Sequence, residues 1–322
     1  MSLHLAEPLK AHVLELCQHI RTPRSEGYFK SQDYLRRKIR EQGLEPQDHH
    51  FNVFGLGECT NIYCEIGDSA KPRILIGAHY ESRADSGPAA DDNASACAVV
   101  LELIPLLKTV RDASFTVIFF DMEENYGVSS LRGSRAFCRW YERPLTKVII
   151  LDLVGGTLAP GFEKTFLQFG PAFPKMQHPE YEFLHLPMKI VEPAGSIGAR
   201  SDYDEFRKRG IPHLFISSGT PWYYHTPSDT PDILSFEKMN ALTEALWSIL
   251  KQGAIDSRGD KGRTEDIQGF LKKFWQSEAL RSQRLQRFVE SGGDLSRLEI
   301  TMLYWDILPK LRKLGPKLFQ SQ

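Results

Sequence analysis

The chain has 322 residues, 41% of them apolar, enough to bury a large core in one α/β domain with additions or in two domains. A formal net charge of −1 argues against a general nucleic-acid binder or a polyanion partner. No run of about 18 apolar residues occurs, so no transmembrane helix is expected.

Residues 3–20 carry Leu3, Leu5, Leu9, Val13, Leu14, Leu16 and Ile20, a helical stripe. The loop RTPRSEG follows, then a second helix over 28–42 with Tyr34, Leu35 and Ile39 on its apolar face and Gly43 as its stop. Two short strands, 50–54 and 60–65, flank FGLGEC and suit an antiparallel pair at a sheet edge. His49 and His50, on that edge strand, read as surface residues. The compact apolar runs RILIGAH (73–79), FTVIFFDM (115–122), KVIILDLV (147–154) and HLFISSG (213–219) read as strands buried on both faces, with 187–193 a further candidate. Helices are expected between them, over 95–110 and 130–143, and over 235–251 to close the core.

This alternation implies an α/β three-layer sandwich around a mixed, mostly parallel central sheet. Ligands in such folds collect at the carboxyl ends of the strands. The domain reading is a catalytic unit over 1–252, then a linker and a helical C-terminal extension over 253–322. That extension is anchored by Trp275, Leu280, Leu285, Phe288, Leu298, Met302, Trp305 and Leu308. From Lys251 onward there are fourteen Lys/Arg against nine Asp/Glu, which reads as a solvated helical surface; a docking face for an acidic partner or membrane is the sharper alternative. The same helices are candidates for a homo-oligomer contact or a cover over the active-site mouth.

Five cysteines, an odd number without any C-x-x-C, make a disulfide framework unexpected and favour a reducing setting. The N-terminus MSLHLAEPLK lacks the layout of a secretory signal. A cytoplasmic location is therefore expected; a periplasmic or secreted one would require that a leader has been removed.

Chemistry concentrates where predicted strands end. His79 closes RILIGAH, Asp91 and Asp92 open the helix after a long polar loop, and FFDMEE carries a strand into Glu123 and Glu124. Asp152 interrupts an apolar strand, and His225 lies in the aromatic loop TPWYYHTPSDTPD. Singly, each has an ordinary reading: a strand-end histidine, a helix cap, a solvated glutamate pair, a buried salt bridge. Together, His79, Asp91, Glu124, Asp152 and His225 form an N/O donor set that suits Zn²⁺. Glu123 is left over as a general base acting on a metal-activated water. Carboxylates crowded into a dry cleft repel, so a cation or proton must neutralise them.

The segments GAHYESR, PAADDNAS, FFDMEENYGVSSLRGSRAF, ILDLVGG, RSDYDEFRKRGIPH and YYHTPSDT, in this order, resemble the co-catalytic zinc aminopeptidases of metallopeptidase family 28 and the related glutaminyl cyclases, over roughly residues 15–250. The resemblance implies that Asp91 bridges two zinc ions, that His79 and Asp152 complete one site and Glu124 and His225 the other, and that Glu123 is general base and then general acid. It implies an aminopeptidase acting on peptides with a free N-terminus. The rivals are a glutaminyl cyclase with one zinc on Asp91, Glu124 and His225, and a non-catalytic binding protein on the same fold. Departures from the family pattern are visible too. Glu81 stands where the family usually has an aspartate supporting the metal-bound histidine. No tyrosine precedes the Ser-Asp of RSDYDEF, which leaves Arg200 or Tyr203 as substitutes for an oxyanion donor. Trp222, Tyr223 and Tyr224 are candidates to wall a substrate pocket.

Overall fold

The computed structural model describes residues 3–124, 131–170, 175–186, 201–252 and 264–276, together with Gln286. Eight strands form one sheet: β1 (Gln47–Val53), β2 (Gly57–Ile66), β3 (Arg73–His79), β4 (Ser114–Phe120), β5 (Lys147–Leu151), β6 (Thr165–Phe169), β7 (Glu182–Leu186) and β8 (His213–Ser217). Their spatial order is β1-β2-β4-β3-β5-β8-β6-β7. The central pairs β4–β3, β3–β5 and β5–β8 are parallel, as is β6–β7. The pairs β1–β2, β2–β4 and β8–β6 are antiparallel. The sheet is thus mixed, with its parallel run in the middle, as the sequence suggested.

Successive side chains on a strand point to opposite faces, so unbroken apolar runs demand cover on both sides. Ile74, Ile76 and Ala78 of β3 join a core with α1 (Ala6–Leu16), α2 (Glu26–Glu41), α3 (Ala96–Leu107) and α6 (Phe236–Lys251). Leu75 joins the opposite core with α4 (Arg132–Trp140), α5 (Tyr203–Arg207) and α7 (Thr264–Gln276). Two helical layers therefore enclose the sheet. Helices α2 and α6 start on serine caps: Ser25 Oγ accepts from Tyr28 N (3.1 Å) and Ser235 Oγ from Lys238 N (3.2 Å).

The expected helices and central strands are present, but β6 and β7 were not anticipated. Each has only five residues, too few for period-2 alternation to stand out from loop sequence. The strand expected at 187–193 lies outside the described residues, as do the side chains of the C-terminal anchors from Trp275 onward. The start of that C-terminal stretch packs on the sheet. In α7, Asp266 accepts from His185 N (3.2 Å) and pairs with Lys175, Phe270 meets Phe162 edge to face (5.8 Å), and Lys273 donates to Gly161 O (3.0 Å). No helix among the described residues is long and apolar enough to cross a membrane. All five cysteines are free.

His49 corrects a surface expectation. It is 5% exposed, because α4 covers that face of β1 with Phe137 and Trp140 (ring centroids at 5.5 and 4.6 Å). Asn61 Nδ2 lies 2.9 Å from its Nδ1, so Nδ1 accepts and the ring is neutral. Burial, aided by the neighbouring His50, pushes its pKa down to about 4. A histidine kept neutral in the fold but protonated when unfolded stabilises fully above the unfolded value of 6.5, and that contribution is lost as pH falls toward about 4. The urea midpoint of the wild-type chain should therefore fall more steeply between pH 7 and 4 than that of His49→Gln. Parallel pH profiles would contradict this placement.

Candidate metal centre

The carboxyl ends of β3, β4, β5 and β8 converge on one cleft, and each loop there delivers an ionisable side chain. Four of these loops hold a non-glycine residue in the left-handed region: Ala89 (φ 49°), Met122 (56°), Leu153 (55°) and His225 itself (56°). Such conformations cost energy and persist where packing forces them, commonly at functional sites. The buried Met122 side chain is wedged against Val53 and Cys59, which turns Glu123 and Glu124 into the cleft. A wide turn over Ala90–Ser95 carries Asp92 at the entry to α3.

Two groups of donors result. His79, Asp92 and Asp152 each offer one atom, as do Asp92, Glu124 and His225; within each group the atoms lie within 4.8 Å of one another. Asp92 belongs to both. Its Oδ1 is 3.2 Å from His79 Nε2 and its Oδ2 is 3.2 Å from His225 Nε2. Asp152 Oδ1 is 3.6 Å from His79 Nε2, and Glu124 Oε1 is 2.9 Å from His225 Nε2. His79 and Asp92 are almost wholly buried.

The donor shared by the two groups is thus Asp92, one residue on from the Asp91 of the sequence reading. Asp91 faces away, into a closed set of donors. Its Oδ1 accepts from Gly155 N (2.8 Å), Gly156 N (3.1 Å) and Ser95 Oγ (3.1 Å), and its Oδ2 accepts from Tyr223 OH (2.9 Å). Neighbouring residues project in different directions, and the turn assigns Asp91 to scaffolding and Asp92 to the cleft. The Gly155–Gly156 pair is required by this packing: a Cβ at Gly156 would sit 2.4 Å from Asp91 Oδ2 and against the Tyr223 hydroxyl.

Residues that the sequence left unassigned hold the loops. Asp229 accepts from Asp91 N (2.7 Å) and Asp92 N (3.0 Å). Asn93 donates to Leu151 O (3.0 Å) and accepts from Leu153 N (3.3 Å), tying the Asp92 turn to the end of β5. Asp152 lies just past that strand rather than within it. Glu81 was expected to support His79 with its carboxylate. Its Oε2 stands 3.7 Å from His79 Nδ1, and its carbonyl oxygen lies nearer still, at 3.2 Å, which leaves Nε2 facing the cleft. The longer side chain reaches the base loop, where Oε1 accepts from Glu123 N (2.6 Å) and Glu124 N (3.0 Å).

The electrostatics are those of an anionic cage. Burial and the charge of Asp92 push Glu124 up to about 7, against the pull of His225. Burial raises Glu123 well above the carboxylate range; His79 opposes the shift, while Glu124, Asp152 and Asp202 add to it. Burial alone would lower both histidines. The carboxylates beside them win, raising His79 well above its ordinary value and His225 to about 9. His79 Nε2, Glu81 Oε2, Asp92 Oδ2 and Asp152 Oδ1 are buried without a hydrogen bond, although ion-pair partners stand nearby. Buried polar atoms without partners are rare and call for an explanation. Facing imidazole and carboxylate donors, a hard or borderline divalent cation such as Zn²⁺ fits this set.

Tyr224 stacks on His225 (centroids 3.7 Å apart), and Trp222 meets Tyr223 edge to face. The Tyr203 ring is committed to the core between His213 and Phe215, which corrects its reading as a cleft residue. Arg200 lies outside the described residues. Arg135 of α4 pairs with Glu205 of α5 (3.0 Å).

The two adjacent aspartates give opposite expectations. Asp92→Asn should lose zinc uptake, measured as bound metal per chain by plasma mass spectrometry, with the fold retained. Asp91→Asn should keep its zinc but melt at a lower temperature, since an amide puts a donor among donors. Loss of metal from a folded Asp91→Asn with normal uptake by Asp92→Asn would reverse the assignment.

The model of Peptidase family M28 matches residues 61–250. The chain is 26% identical over 287 residues to the uncharacterised protein YfbL of Escherichia coli, covering 76% of this chain and 87% of that one. Its fold resembles that of Porphyromonas gingivalis glutaminyl cyclase, with a TM-score of 0.61, 22% identity, and coverage of 79% of this chain and 100% of that chain. It equally resembles a leucine aminopeptidase precursor from Bacteroides thetaiotaomicron, with a TM-score of 0.61, 18% identity, and coverage of 76% and 96%. With its α/β fold, its cleft of metal-binding donors and a family match across more than half its length, the chain belongs to peptidase family M28.

Proposed function

We propose that this protein is a zinc-dependent aminopeptidase that hydrolyses the N-terminal residue of peptides. The reading is carried by the second donor group: besides Asp92, Glu124 and His225, the chain keeps His79 and Asp152 around the same shared aspartate, the provision for two cations. In this proposal His79, Asp92 and Asp152 hold one zinc and Asp92, Glu124 and His225 the other. Zinc so held supplies Lewis acidity toward the scissile carbonyl and lowers the pKa of water.

The chain's own residues do the rest. Glu123 is buried beside both groups, and its main-chain N–H is fixed by Glu81. Positive charge in the cleft, His79 included, opposes the rise that burial imposes on its pKa and so favours the carboxylate form that a general base needs. Glu123 takes a proton from the attacking water as the water oxygen bonds to the carbonyl carbon. It then passes that proton to the leaving amine as the C–N bond breaks. The products are a free amino acid and a shortened peptide. The free α-amine of the substrate meets a strongly anionic cleft, which favours an N-terminus over an internal segment. Trp222 and Tyr224, half-buried on the loop that carries His225, are the apolar surface that would favour an apolar or aromatic first residue.

A second reading, glutaminyl cyclase, is favoured by the likeness to the Porphyromonas cyclase structure. It would use only Asp92, Glu124 and His225, with Glu123 shuttling the proton during ring closure. Two assays on one zinc-loaded sample separate these readings: release of amine from aminoacyl anilides, and pyroglutamate formation from a peptide with N-terminal glutamine. The aminopeptidase reading expects the first and two zinc ions per chain. Glu123→Gln should bind zinc normally and lose turnover by about 10²- to 10⁴-fold. Cyclisation without hydrolysis, at one zinc per chain, would replace this reading with the second. Wild-type rates in Glu123→Gln would remove the base from the mechanism.

A further inference from the structure

Arg21 is 1% exposed and precedes the span matched by the family. Its guanidinium donates to four main-chain carbonyls: Nε to Tyr80 O (2.8 Å), Nη1 to Leu16 O (2.9 Å) and Pro88 O (2.7 Å), and Nη2 to Ala89 O (2.8 Å). Its main chain is tied to the same region. Arg21 N donates to Ser82 Oγ (3.0 Å), and Ser82 N donates to Arg21 O (3.3 Å). Among the described residues it forms no ion pair with a carboxylate. A charge this deeply buried is costly unless it is well solvated by its surroundings, and here carbonyl dipoles supply that solvation.

The positions of those carbonyls are what matter. Tyr80 stands between His79 and Glu81. Pro88 and Ala89 immediately precede the turn that carries Asp92, and the left-handed Ala89 brings its carbonyl onto the guanidinium. Leu16 closes α1 and gives the fork a fixed base. One rigid planar group thus spans the loop of one cleft donor and the turn of the other. A lysine could not do the same, since its ammonium cannot reach four divergent acceptors with fork geometry.

We propose that Arg21 is a positioning residue for the metal centre: it sets the separation of His79 and Asp92 through the carbonyls of Tyr80, Pro88 and Ala89. The proposal rests on the reading of the cleft as a zinc site. Groups that orient metal ligands typically change metal affinity by about 10- to 100-fold when removed.

The test uses the full chain with Arg21→Ala and Arg21→Lys. Zinc affinity is measured by competition with a chromogenic chelator, the ligand field by cobalt(II) absorption, and stability by thermal unfolding of the metal-free protein. Both variants should bind zinc about 10- to 100-fold more weakly, with an altered cobalt spectrum. Low concentrations of guanidinium, but not of the neutral urea, should restore part of the affinity in Arg21→Ala. Wild-type affinity and spectrum alongside a lowered melting temperature would overturn the proposal, leaving Arg21 as a structural tie only. Should Arg21→Ala fail to fold, Arg21→Lys decides on the same two readouts. A wild-type chain that takes up neither zinc nor cobalt would instead overturn the metal reading beneath it.

Discussion

Repulsion among carboxylates in a dry cleft is the constraint around which this chain is organised. Asp92, Glu123, Glu124 and Asp152 are all buried, and two imidazoles are the nearest compensating groups. Burial first, and the charge of neighbouring carboxylates after it, push the glutamates upward, while those same carboxylates make the histidines hold their protons tightly. The carboxylates of this region divide into two kinds. Those of Asp91 and Asp229 accept from main-chain N–H groups and keep loops in place, while Glu81 does so with Oε1 only. Those of Asp92 and Asp152 retain oxygens with no hydrogen bond, and these face the cleft. Only the second kind needs a cation, and the first kind explains how the backbone tolerates strained turns beside it.

Much of this was legible in the sequence because strand ends are legible. A buried parallel strand reads as an unbroken apolar run, so the first polar residue after it falls at the ligand-binding edge of the sheet. His79 and Asp152 stand at such strand ends, Glu124 a few residues past one, and His225 in the aromatic loop after another; the structure gathers the four around Asp92. The choice between Asp91 and Asp92 was not legible. Adjacent acidic residues give one local signal. Which of them points inward depends on the turn at Ala90–Ser95 and on Asp229, which is distant in sequence. Asp229 lies in the polar stretch after His225, and nothing nearby in the sequence marks it as the acceptor for that backbone. The only local hint was Asn93, a third polar residue at a helix start that needs one cap.

Other gaps have the same origin. His49 belongs to an edge strand by pattern, yet α4 lies across it, and that cover is a tertiary fact. Glu81 was expected at His79, where its Oε2 does stand, but its longer side chain also lets Oε1 accept from the main chain of Glu123 and Glu124. The region that precedes the family match is not an ornament. Helix α2 contributes Tyr28, which donates to the buried Asp121 just before the base loop, and Arg21 lies in the loop ahead of that helix. The family resemblance therefore describes the chemistry more fully than it describes the support.

The fold is shared by peptidases and cyclases, so topology alone does not select the reaction. In the proposed reading, what selects it is how many cations the cleft holds and where they sit. Anomalous diffraction at the zinc edge, from crystals of the full chain grown with zinc, tests this most directly. The account predicts two peaks, both contacting Asp92, one beside His79 and Asp152 and the other beside Glu124 and His225. The absence of any peak at these side chains, with zinc in excess, would contradict it.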